Sequence, residues 1–371
     1  MTAIKSDNVV ALEIGKIVEN LSVLYSNAIN FKIDLKTIPS VMLWGAPGVG
    51  KSQAVRQLGE KISKKTGKKV AVTDVRLLLF NPIDLRGIPT ANADKTLAVW
   101  LKPQIFNMDP SPNVVNILFL DEISAAPQSV QAAAYQITLD RVIGEHRLPD
   151  NCIVIAAGNR VTDKSVAYKM PKALANRLCH FAVKENFDGW RAWAVKKGIN
   201  PKVIGFLAFK RDYLNMFDAS SDDLAFATPR SWEMVSNVLF ACGDDIEKAY
   251  PIIQGCLGVG VAIEFKTWCK VFLDLPSIDG IFNGTEYKVP KGVDTLYALC
   301  SSIVAHAKKN MDKLDKIANS IRYASMLPPD FSVLILKDYL YIEENAKLKL
   351  MNIPEFAKWL RDKGRLLNGI V

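Results

Sequence analysis

The chain has 371 residues, 49% hydrophobic and 23% charged, with 47 basic against 38 acidic residues for a net charge of +9. That is the composition of an ordinary globular protein, long enough for two or three domains. No apolar run approaches the roughly 18 residues a membrane helix needs, the amino-terminal stretch mixes charges among its apolar residues as a signal peptide does not, and three histidines make a histidine metal site or triad improbable.

In chain order, the first thirty residues read as one helix, with Val10, Ile14, Ile17, Leu21 and Leu24 at helical spacing. "PSVMLWG" is a short apolar strand that runs into a glycine-rich loop, and the text turns helical after Lys51. The basic run "EKISKKTGKK" (Glu60 to Lys69) could meet a polyanion. It lacks interleaved aromatics, however, and reads as a solvated helix end and turn. "KKVAVTDVRLL" supplies a second strand. The segment Asp84 to Pro103 is too turn-rich and too β-like for a crossover helix. "VVNILFLDEIS" is nearly continuous in apolar residues, as suits a central parallel strand covered on both faces. Leu139 to Asp150 offers two short β arms for a hairpin, "NCIVIAAGN" is a fourth strand and "HFAV" a fifth. Helices alternate with these strands, so the first half is α/β, a parallel five-stranded sheet between helices.

From about residue 186 the strands stop. Asn200 before Pro201, and Thr228 before Pro229, are helix starts with proline at the first position. Trp232, Val235, Val238, Leu239 and Cys242 form one apolar face of the second of these helices, and "IPEFAKWLRDKGRLL" closes the chain with another amphipathic one. The expected division is therefore an α/β domain with its N-terminal helix over 1–185 and a helical lid domain with a helical tail over 186–371. The cysteines at 152, 179, 242, 256, 269 and 300 show no CxxC spacing, which suits reduced core thiols in a cytoplasmic protein.

The glycine loop fits G-x-x-x-x-G-K-S as Gly45, Gly50, Lys51 and Ser52. With an apolar strand before it and a helix after it, the stretch Gly45, Ala46, Pro47, Gly48, Val49, Gly50, Lys51, Ser52 and Gln53 can turn backbone N–H groups onto phosphate oxygens. Lys51 would reach the β- and γ-phosphates of ATP and Ser52 would ligate Mg²⁺. Asp121 and Glu122 emerge at the end of the third strand. Asp121 would hold Mg²⁺ through water, and Glu122 would take a proton from the attacking water. An Asp-Glu pair there also serves as a plain helix start. Asn159, ending the fourth strand, could orient that water, although a strand-end Asn is a common turn residue. Arg177, just before the fifth strand, cannot easily fold back on its own cradle and could face that of a neighbouring subunit as an arginine finger. Arg230, in the first turn of its helix, could reach the γ-phosphate. The bland reading of both is a surface or structural arginine.

These residues in this order resemble an AAA+ ATPase, a P-loop NTPase core followed by a helical lid. The stretches "DLRGIP", "LFLDEISAAPQSVQAAAYQITLDRVIGEHRLPDN", "AAGNRVTDKSVAYKMPKALANR" and "ATPRSWE" are similar to the MoxR-type ATPases of the dynein-related group, over nearly the whole chain. The two β-like interruptions then match that branch's helix-two insert and pre-sensor-one hairpin. The resemblance implies Walker A roles for Gly48, Gly50, Lys51 and Ser52 and Walker B roles for Asp121 and Glu122. It implies sensor one at Asn159, the finger at Arg177 and sensor two at Arg230. It also implies a homo-oligomeric ring, hexameric in the family, that remodels a protein partner bearing a von Willebrand A domain. The chain itself lacks the D-x-S-x-S motif of that domain. Two alternatives remain. One is a nucleic-acid motor related to McrB-type or helicase-loader ATPases, weakly favoured by the +9 charge. The other is a nucleotide-binding scaffold that cycles slowly or not at all. No membrane partner is expected.

Overall fold

The structure is a computed structural model in which residues 9–160, 170, 172–218 and 220–363 are described. The chain forms two compact units, Met1–Asn186 and Phe187–Val371. Part of the stretch between Asn159 and Arg177, the first eight residues of the expected N-terminal helix and the tail after Lys363 lie outside the described residues.

The first unit runs β1 (Val10–Glu13), α1 (Ile14–Asn30), β2 (Val41–Trp44), α2 (Lys51–Thr66), β3 (Lys69–Arg76), α3 (Pro82–Arg86), β4 (Ile88–Ala91) and β5 (Ala98–Leu101). It continues with β6 (Val114–Asp121), α4 (Gln128–Asp140), β7 (Val142–Ile143), β8 (His146–Arg147), β9 (Cys152–Gly158), α5 (Lys172–Ala175) and β10 (Cys179–Lys184). Six strands form a parallel sheet in the order β1-β10-β2-β9-β6-β3. The five strands expected from the sequence are all in it, with helices on its faces.

The sixth strand corrects the reading of the amino-terminal stretch as one helix. Val10 to Glu13 pair with Phe181 to Lys184 at the sheet edge, and the helix begins only at Ile14. Val10 is 59% exposed, since an edge strand of four residues has little to cover it. Of the five spaced apolar positions, Ile17 and Leu21 are buried. Val18, Tyr25 and Ala28 complete that face, while Leu24 points outward.

Every residue of β6 is buried, as expected of a strand covered on both faces. Val115, Ile117 and Phe119 pack with Ile17, Leu21, Leu58 and Ile62 of α1 and α2. Leu118 and Leu120 pack with Val130, Ala134 and Ile137 of α4 on the opposite face. Alternation along the strand thus fills two separate cores. The two interruptions are both antiparallel hairpins, β4 with β5 and β7 with β8. The basic run ends α2 at Thr66 with Gly67 in the left-handed region, and Lys61 and Lys65 both pair with Glu19 of α1. Hydrogen bonds from those two lysines hold the Glu19 carboxyl below its usual range.

Among the described residues the second unit is helical throughout. Its helices are α6 (Phe187–Lys197), α7 (Pro201–Phe209), α8 (Pro229–Ala241), α9 (Ile246–Leu257), α10 (Val259–Cys269), α11 (Ile278–Asn283), α12 (Val293–Asn310), α13 (Leu314–Met326), α14 (Pro329–Tyr339), α15 (Ala346–Met351) and α16 (Pro354–Lys363). The Asn200 side chain caps α7 by accepting from Lys202 N at 2.9 Å. Thr228 and Ser231 form a reciprocal capping box at α8. Trp232, Val235 and Leu239 are fully buried, with Val238 and Cys242 half-covered at the margin. Trp232, Phe206 and Phe265 meet ring to ring. No described helix is long and apolar enough to cross a membrane, and all six cysteines are free thiols.

Arg191 of α6 and Asp338 of α14 are almost wholly buried and joined by three contacts, Nε to Oδ1 and Oδ2 at 2.9 Å each and Nη2 to Oδ2 at 2.6 Å. Removing one partner leaves the other charge buried alone, which typically costs about 3–5 kcal/mol. Asp338→Ala is expected to lower the unfolding free energy, obtained from the denaturant midpoint and slope, by that amount. The double replacement Arg191→Met with Asp338→Leu should recover most of it. A single mutant as stable as wild type would show that water reaches the pair.

Candidate active site

The site is built at the carboxyl ends of β2, β6 and β9, which parallel pairing brings to one edge of the sheet. Trp44, last in β2, lies opposite Gly158, last in β9. From there Gly45 to Gly50 loop into α2, with Gly48 at φ 81° and Gly50 at φ 95°. Only glycine takes such angles without strain, and a Cβ on Gly50 would also stand 2.9 Å from Ile14 Cδ1. The amino-terminal, positive end of α2 opens onto this loop, with Lys51, Ser52 and Gln53 in its first turn.

Lys51 is 8% exposed, and its ammonium donates to Gly45 O at 2.6 Å, Ala46 O at 3.0 Å and Asn159 Oδ1 at 3.0 Å. The Ser52 hydroxyl donates to Asp121 Oδ2 at 2.8 Å, and Glu122 N donates to Asp121 Oδ1 at 2.9 Å. Both oxygens of Asp121, itself 9% exposed, are therefore engaged. Glu122 turns the chain sharply off the strand at φ 58°, an angle uncommon outside glycine, and stays half-buried. Ser52 and Asp121 present two hard oxygens side by side. Mg²⁺ commonly takes one or two carboxylates and leaves its other positions to water and phosphate, so the pair suits it.

Five residues here were not singled out in the sequence. Ser124, buried two residues past Glu122, accepts from Asn159 N at 2.9 Å through its hydroxyl. Gln131 holds the same loop by donating to Ser124 O at 3.3 Å and Ala126 O at 2.9 Å, and Tyr135 donates to Gln131 Oε1 at 3.2 Å. Asp74 on β3 has its carboxyl pushed above the usual range, first by burial and then by the charge of Asp121. Arg56 of α2 lies 3.9 Å from it.

Gly45, Lys51, Ser52, Asp121, Glu122 and Asn159 are thus brought together. Arg177 is placed apart, exposed on the turn between α5 and β10. Arg230 lies in the second unit, exposed at the second position of α8.

Residues 40–180 match the family model described as ATPase family associated with various cellular activities (AAA), a span that holds the cradle, Asp121, Glu122, Asn159 and Arg177. Over this segment the chain is similar to AAA-type ATPases. Among solved structures, the chain aligns with NtrX from Brucella abortus in complex with ADP at 14% identity and TM-score 0.35, covering 93% of this chain and 68% of that one. It aligns with a point mutant of Thermotoga maritima RuvB at 13% identity and TM-score 0.34, covering 79% and 84%. A search of curated proteins gave no match.

Gly158 tests how tightly this site is packed. A Cβ there would stand 2.8 Å from Ser124 Oγ and 2.9 Å from Met42 Cε. Gly158→Ala is expected to cost about 1–3 kcal/mol by overpacking and to displace Asn159, read as a lower melting midpoint together with a reduced ATPase rate. Wild-type values for both would mean the strand ends have slack.

Proposed function

We propose that the protein is an ATP-hydrolysing ring ATPase of the MoxR type that remodels a protein partner. The observation that carries the hydrolytic part is the meeting of the Lys51 ammonium, the Ser52–Asp121 pair, Glu122 and Asn159 at one end of one sheet. In this reading the loop from Gly45 to Gly50 and the start of α2 bind the phosphates through backbone N–H groups. Lys51 exchanges its carbonyl partners for β- and γ-phosphate oxygens. Ser52, and Asp121 through water, would hold Mg²⁺, which would supply neutralisation of phosphate charge.

Asn159 orients a water against the γ-phosphorus, and Glu122 accepts its proton as the bond to the β-phosphate oxygen breaks. ADP and phosphate leave without a covalent intermediate. Arg177, exposed and outside its own cradle, serves the cradle of the next subunit. Arg230 reaches the γ-phosphate from α8 and makes the second unit responsive to it. The partner, by kinship with the MoxR type, carries a von Willebrand A domain. A nucleic-acid motor has less support, because Lys61 and Lys65 of the basic run are engaged by Glu19.

Lys51→Ala should abolish nucleotide binding. Glu122→Gln should bind ATP with near wild-type affinity and turn over about 10²–10⁴-fold more slowly. Near-normal turnover by Glu122→Gln would remove it as general base. The same variant, locked with ATP, is the bait for recovering the partner.

Sharing of sites is tested by mixing. Lys51→Ala and Arg177→Ala proteins, each strongly impaired alone, should regain activity when combined, because some interfaces then pair an intact cradle with an intact finger. No recovery at any ratio, with assembly verified by sedimentation, would assign the finger elsewhere. Arg230→Ala should still bind nucleotide but cycle slowly, and a wild-type rate would discount that residue.

A further inference from the structure

Trp44 and His180 form a pair that the hydrolytic reading leaves unused. Trp44 ends β2 and is followed directly by Gly45, where the cradle opens. On the neighbouring strand β10, Ala182 lies opposite Trp44 and His180 opposite Met42. The indole therefore reaches back along β10 to His180. The two rings lie 17° from parallel with centroids 6.1 Å apart, and Trp44 Nε1 donates to His180 Nδ1 at 2.9 Å.

An indole nitrogen can only donate, so Nδ1 of His180 carries no hydrogen. In the neutral ring the hydrogen is then on Nε2. Nε2 stands 2.7 Å from Ala175 O, which can only accept. Each nitrogen thus has the one partner its tautomer allows, and the imidazole bridges β2 to the last residue of α5.

Ala175 O also receives Leu178 N at 3.3 Å, which closes a tight turn with Asn176 and Arg177 at its tip. Beyond it Leu178 is buried, and Cys179 N donates to Ser40 O at 2.9 Å. The backbone on both sides of Arg177 is thereby fixed while its side chain stays exposed.

We propose that His180 is a positioning residue that sets the Arg177 turn from the strand feeding the phosphate cradle. Each subunit then presents its finger to the neighbour at an angle registered on its own nucleotide site. This rests on the reading of Arg177 as a finger acting in trans. In this role His180, bonded to Trp44 and to Ala175 O, acts only through Arg177.

The experiment compares ATPase kcat and KM, nucleotide Kd and melting midpoint for the whole chain carrying Arg177→Ala, His180→Ala, both together, His180→Gln and His180→Asn. His180→Ala is expected to lower kcat by about tenfold, the rate equivalent of one lost hydrogen bond, with Kd unchanged. Added to Arg177→Ala it should lower kcat no further. His180→Gln reaches as far as Nε2 and donates to Ala175 O, so it should keep more activity than His180→Asn, whose shorter amide meets only Trp44.

A loss that adds to that of Arg177→Ala, or a His180→Asn protein as active as His180→Gln, would overturn the proposal. It would leave the pair as packing alone. An impaired Arg177→Ala beside an unimpaired His180→Ala defeats the positioning role and spares the finger. A fully active Arg177→Ala defeats the finger, and the positioning role with it. Should His180→Ala fail to fold, the Gln and Asn variants decide the matter.

Discussion

A lysine ammonium withdrawn from water must be given oxygens, because an uncompensated buried charge costs several kcal/mol. The first unit meets that demand for Lys51 with carbonyls of its own loop and the amide of Asn159. This requirement ties together parts far apart in sequence. Asn159 reaches the ammonium only because β9 ends level with β2, a register marked by Gly45 N donating to Gly158 O at 3.2 Å. The same oxygens are neutral or only partly charged. A phosphate in the loop would offer the ammonium a stronger, charge-assisted partner, so the resting contacts hold the side chain in place without outcompeting a ligand.

Around that cation the structure is layered by rigidity. Asp121 leaves a strand that is buried along its whole length, so its carboxylate inherits the position of the core. Glu122 breaks from the strand at once, and the loop it starts is held by the hydroxyl of Ser124 and the amide of Gln131. Those two side chains supply hydrogen bonds that an irregular buried backbone cannot make to itself.

The parts legible in the sequence were those specified locally. The continuous apolar run of β6, the proline-marked starts of α7 and α8 and the glycine spacing of the cradle each need only neighbouring residues to be understood. The edge strand β1 was not legible. Val10 to Glu13 are too few to show a period of two, and their partners Phe181 to Lys184 lie at the other end of the unit. Ser124 was missed for a related reason, since a serine after an Asp-Glu pair acquires its meaning only when β9 delivers Asn159 N to it. Trp44 and His180 are 136 residues apart, and nothing in either local stretch announces the other. Asp74 reads as a polar break in a strand until β6 places Asp121 nearby.

The two hairpins that interrupt the α/β pattern are joined to each other. His146 Nε2 lies 2.8 Å from Trp100 O, bridging the β7–β8 turn to the β5 backbone. Arg86 O approaches the Cβ position of Gly144 to 2.8 Å, so the chain before β4 also presses on that turn. The two arms are tied by a side-chain-to-backbone hydrogen bond, and in mechanical terms they act as one arm rather than two. The β7–β8 arm is itself the connection from α4 to β9, and β9 ends one residue before Asn159, so the coupled arms are attached to the strand that delivers that amide.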